Sequence, residues 1–91
     1  MQTCFISFNL FCKWKDFPQT YRIYLNDQLM TERDYIWDND NHVLQERIPV
    51  VSSTDDHHII KIEHIGQQTG RLRIDKLTTE PPGIDVKVNI V

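Results

Sequence analysis

Apolar and polar residues alternate with a period of two along most of the chain, as they do in strands that bury one face. Near the start, Ile6, Phe8, Leu10, Cys12 and Trp14 share one face, with Ser7, Asn9 and Lys13 opposite. Phe11 interrupts the polar side, so partial cover over that second face is expected. Asp16-Phe17-Pro18 ends the run, because proline has no N–H to give to a ladder. Alternation resumes at Tyr21, Ile23 and Leu25 and stops at Asn26-Asp27, two residues that tolerate tight turns, so a hairpin is predicted there. The stretch from Leu29 to Trp37 reads as extended, since its apolar residues do not line up as one helical stripe.

The second half repeats the pattern. Asp38-Asn39-Asp40-Asn41 is a turn by composition. Leu44, Glu46, Ile48 and Val50 then alternate with Val43, Gln45, Arg47 and Pro49, and Pro49 predicts that this strand lies at an edge or ends its pairing there. After the polar loop at 52–56, the β-branched run His58–Ile65, the loop Gly66–Gly70 and the alternating Arg71–Asp75 predict a second hairpin. The last run places Ile84, Val86, Val88 and Ile90 on one side and Asp85, Lys87 and Asn89 on the other. Such a final strand either pairs inside a sheet or offers an edge to a neighbour. Together these signals predict an all-β fold: a small antiparallel β-sandwich, jelly-roll-like, of six to seven strands, with residues 1–91 as a single domain.

Composition narrows the function more than the fold. Ninety-one residues support one core, and 40% hydrophobic with 25% charged residues is an ordinary globular balance. A net charge of −3, with carboxylates interrupting Lys13, Lys15, Arg71 and Arg73, argues against a phosphate-tracking surface, so no nucleic-acid partner is expected. The apolar start lacks a basic leader and a small-residue cleavage site, and no run is long enough to span a bilayer, so no membrane partner is expected.

Candidate chemistry is sparse. On one extended strand Cys4 and Cys12 lie about 26 Å apart, beyond the roughly 7 Å that a disulfide bridges. His57 and His58 point to opposite faces, while His58 and His64 share a face about 20 Å apart, so neither pair chelates an ion alone. The Asp38–Asn41 turn, with Asp55 and Asp56, carries oxygens of the kind calcium prefers, yet it lacks the central glycine and closing glutamate of a calcium-hand loop. Ser52 and Ser53 have no nucleophile elbow around them, and no glycine loop cradles phosphate. No catalytic residue, metal or cofactor is therefore expected, and the work of the chain is expected to be binding or assembly. Trp14, Tyr24, Tyr35 and Trp37 are the candidate interaction residues, as a protein hot spot or a sugar-stacking platform. The competing reading puts the tryptophans in the core.

The runs KDFPQTYRIYLNDQLMTERDYIW, VLQERIPV, HHIIKIEHIG and GRLRIDKLTT cover most of residues 14–78. In their phrasing the chain resembles small virion structural proteins of large contractile-tailed phages, cyanobacterial phages being the nearest group. That resemblance implies a sandwich that decorates a virion or joins its capsid, tail or neck. It also implies synthesis in the host cytoplasm, residence in the virion, and partners among other virion proteins and copies of itself. The strand order is also similar to that of calcium-dependent, xylan-binding carbohydrate modules, which implies an aromatic groove beside a calcium ion. The acidic cluster such modules carry near the later hairpin is missing here.

Overall fold

The computed structural model describes residues 3–14, 18–36, 43–51, 57–66, 70–80 and 82–91. The chain forms seven strands: β1 (Thr3–Lys13), β2 (Gln19–Leu25), β3 (Gln28–Tyr35), β4 (Leu44–Val51), β5 (His57–Ile65), β6 (Arg71–Glu80) and β7 (Asp85–Ile90). They make a β-sandwich of two sheets, one ordered β4-β1-β6 and the other β3-β2-β5-β7. Every pairing is antiparallel except β5 with β7, which is parallel.

The alternation read from the sequence sets which face of each central strand is buried. On β1, Cys4, Ile6, Phe8, Leu10 and Cys12 all point into the core. They meet Tyr21, Ile23 and Leu25 of β2 and Ile60 and Ile62 of β5 in one apolar cluster. Full burial of a side chain of this size is worth about 1.5–3 kcal/mol, so these central strands supply most of the cohesion. On the outer face, arginines cap the phenylalanines. The Arg47 guanidinium lies 3.8 Å from the Phe5 ring centre and that of Arg73 lies 4.8 Å from the Phe11 ring centre. The cover expected over Phe11 is thus in part a cation resting on the ring.

The Asn26-Asp27 hairpin forms as expected. Both residues adopt positive φ, 48° and 71°, which a tight turn matched to the strand twist requires. Asn26 also extends the β2–β5 ladder: its N–H donates to the Ile59 carbonyl (2.9 Å), and its side-chain oxygen accepts from the Ile59 N–H (2.9 Å). β4, which carries Pro49, is an edge strand, and its pairing with β1 continues past Pro49 to Val51.

The second expected hairpin does not form. β5 and β6 belong to different sheets: β5 pairs with β2 and β7, and β6 pairs with β1. Alternation reports that a strand has one buried face but is silent about which sheet it joins. Gly70 makes the crossing possible. A Cβ there would overlap the Lys13 carbonyl oxygen and sit 2.8 Å from the Trp14 Cβ, so only glycine lets the chain pass so close to the end of β1. β6 then serves as the crossover that a parallel β5–β7 pair needs.

β6 also carries a bulge. Its register against β1 shifts between Ser7 and Asn9, and Lys76 adopts φ 52°. The extra residue changes which positions face inward, from Leu72 and Ile74 before it to Thr79, opposite Ile6, after it.

Candidate interaction surface

A buried polar cluster ties the two sheets together. Glu46 sits on the inward face of edge strand β4, among Leu44, Ile48 and Val50, and is 2% exposed. Its Oε1 accepts from the Tyr21 hydroxyl (2.8 Å), and Arg33 Nε lies 2.7 Å from the same oxygen. Tyr21 and Arg33 are cross-strand partners on β2 and β3, so their side chains share the inward face opposite Glu46. Burial first, and then the hydrogen bond and charge of Glu46, push the ionisation of the Tyr21 hydroxyl far above its ordinary range. This arrangement closes the β3–β4 side of the sandwich. The sequence signal for it was a single carboxylate in an otherwise apolar register, a signal that does not name the partners.

The opposite side, along β6 and β7, is not covered by another strand among the described residues. Ile74 of β6, Val86 and Val88 of β7, and Ile84 just before β7 pack against the core but stay half-buried. Leu77 and Ile90 are 41% and 45% exposed. One sheet has three strands and the other four, so β7 extends past the cover the smaller sheet provides. At one end of this side a cavity of about 310 Å³ is lined by His64, Gly70, Arg71, Leu72, Ile90 and Val91.

The candidate aromatic residues are spread through the fold. Tyr35 ends β3 with its ring in the core, 1% exposed. Trp14 follows β1, half-buried against the core, and its buried Nε1 has no hydrogen-bond partner among the described residues. Tyr24 lies on the outer face of β2, with the Lys61 ammonium 4.5 Å from its ring centre and its hydroxyl 3.4 Å from Glu63 Oε1. Tyr24 and Tyr35 thus occupy opposite sides of one sheet. Trp37 lies outside the described residues.

The remaining candidates fall into structural roles or outside the described chain. Cys4 and Cys12 are buried free thiols on the inward face of β1, and burial pushes Cys12 up to about 11. His58 is buried beside Asn26, with Nδ1 and Nδ2 3.5 Å apart. His64 Nε2 is hydrogen-bonded to Gln19 Oε1, and burial lowers its pKa below the ordinary histidine value. Among the described residues, no group of three or more His, Cys, Asp or Glu side chains is placed to hold a metal ion. Asp38–Asn41, His42, Ser52, Ser53, Asp55 and Asp56 lie outside the described residues.

Compared with known proteins, the chain matches no protein-family model, none of the curated proteins and none of the solved structures.

Proposed function

We propose that this chain is an assembly domain that docks onto neighbouring protein subunits, and that the assembly is the virion of a contractile-tailed phage. The first half of the reading rests on one observation. The β6–β7 side leaves half-buried and exposed apolar side chains next to a strand edge that has no neighbour among the described residues, so covering it with protein would bury that surface. A domain of this size gains stability when a partner binds only its folded form. The second half rests on the resemblance of the quoted runs to small virion structural proteins.

Quantitative mass spectrometry of purified particles tests the proposal. Peptides of this chain are expected at a fixed ratio to the major capsid and tail proteins through successive gradient steps. A high copy number would assign the chain to capsid or sheath, and a low one to neck, baseplate or fibre. Loss of the chain on purification, while the major proteins remain, refutes the virion reading.

A further inference from the structure

Among the described residues each sheet has a strand edge with no neighbour at either side, and three of these four edges are protected against pairing with another copy. On β3, Glu32 and Asp34 flank Arg33 on the outer face, so an antiparallel self-pair about Arg33 would oppose carboxylates. A register shift between Ile23 and Tyr24 bulges the same edge. β4 carries Pro49, and β6 carries the bulge at Lys76. Charges, proline and bulges are the devices by which sheets block edge-to-edge contact. β7 has no proline and no register shift against β5.

The geometry of β7 suits a copy of itself. Val91 gives its N–H to the Ile62 carbonyl (2.9 Å) and accepts from the His64 N–H (3.2 Å). Backbone groups of successive strand residues point to alternate sides, so Asn89, Lys87 and Asp85 also turn toward β5. The N–H and C=O groups of Val86, Val88 and Ile90 therefore turn outward, to an edge that has no strand beside it among the described residues.

We infer that this edge binds a second copy of the chain, β7 against β7, antiparallel about a two-fold axis through Val86. In that register the two Val86 residues exchange N–H···O=C bonds, and Ile84 of each copy faces Val88 of the other. Asp85 lies directly opposite Lys87 of the second copy, twice over by symmetry. These charged pairs fall at the non-hydrogen-bonded positions, where cross-strand side chains approach most closely. Shifting the axis to Val88 would put Lys87 opposite Asn89 and Asp85 opposite Val91, so both ion pairs would be lost. The two four-stranded sheets become one continuous sheet, and the half-buried Ile84, Val86 and Val88 gain apolar neighbours.

This inference deepens the assembly reading by naming the occupant of the β7 edge. Sedimentation equilibrium of the purified chain, with circular dichroism to confirm folding, tests it. The wild type is expected to dimerise in the micromolar range. Lys87→Glu, which sets carboxylate against carboxylate, is expected to stay folded and to weaken dimerisation by roughly tenfold or more. Asp85→Lys with Lys87→Glu restores the pairing with exchanged signs and is expected to restore the dimer. A wild type that stays monomeric, or a folded Lys87→Glu variant that dimerises as well as the wild type, overturns the inference. Either result leaves the particle-composition test of the virion reading untouched.

Discussion

Arg33→Met is the substitution whose cost is best defined by the surrounding structure. Methionine keeps the stem of the side chain but removes the cation 2.7 Å from Glu46 Oε1. Glu46 is buried on an inward face, so its carboxylate would keep only the Tyr21 hydroxyl as a described donor. Stripping one partner from a deeply buried ion pair costs about 3–5 kcal/mol. The Arg33 side chain is 53% exposed, so water screens the pair and partly replaces the lost donor. The expected loss is therefore lower, about 2–3 kcal/mol. In a domain of this size that lowers Tm by roughly 10–20 °C. Urea unfolding followed by tryptophan fluorescence and circular dichroism measures it. The companion variant, Glu46→Leu with Tyr21→Phe, removes the carboxylate and the hydroxyl together and frees Arg33 to solvent. Neither Tyr21 nor Glu46 leaves the other without its partner, so the stability should lie within about 1 kcal/mol of wild type. A cost below about 0.5 kcal/mol for Arg33→Met would refute the reasoning, as would a double variant less stable than Arg33→Met.

Two other perturbations probe the crossing and the titratable interior. Gly70→Ala places a methyl group against the Lys13 carbonyl and Trp14, atoms of the backbone or attached directly to it, and should cost more than about 2 kcal/mol. Gly66→Ala meets no atom within 4 Å and carries only the strain of φ +79°, so its cost should stay near 1 kcal/mol. Equal losses in thermal melts of the two variants would contradict the close passage at Gly70. His64 has its pKa lowered by burial, so the unfolded chain takes up its proton more readily than the folded one. Stability from this site is intact above the unfolded value near 6.5 and falls as pH drops through that value toward the lower folded one. His64→Gln should flatten the pH dependence of urea midpoints between about pH 7 and 5. An unchanged slope would mean that His64 does not contribute to it.

Much of the fold was legible because strand alternation is a local property. A residue's side is set by its parity, so Ile6, Phe8, Leu10, Tyr21, Ile23 and Leu25 could be assigned to one buried face before any pairing was known. The Asn26-Asp27 turn was legible for the same reason, since positive φ is a demand on two adjacent residues. Pro49 marked an edge through its missing N–H.

Other features depended on partners distant in the chain. The segment from Gly66 to Gly70 has hairpin composition, yet β5 and β6 separate because β2 and β1 complete their ladders instead. Glu46 reads as a misplaced charge until folding brings Tyr21 and Arg33 to it from the opposite sheet. Tyr35 and Tyr24 both read as candidate contact residues, but only the packed sheet puts one in the core and the other on the outer face beside Lys61. The sequence by itself determined where most strands lie, the buried faces of β1, β2, β4 and β7, and the Asn26-Asp27 hairpin, because each follows from φ/ψ preference or side-chain parity within a few residues; the second half of β6, beyond its bulge at Lys76, was not among them. Only the tertiary structure decided which strand joins which sheet, which charge is neutralised inside, and that β7 has no second neighbour among the described strands, because these are set by pairing across the fold.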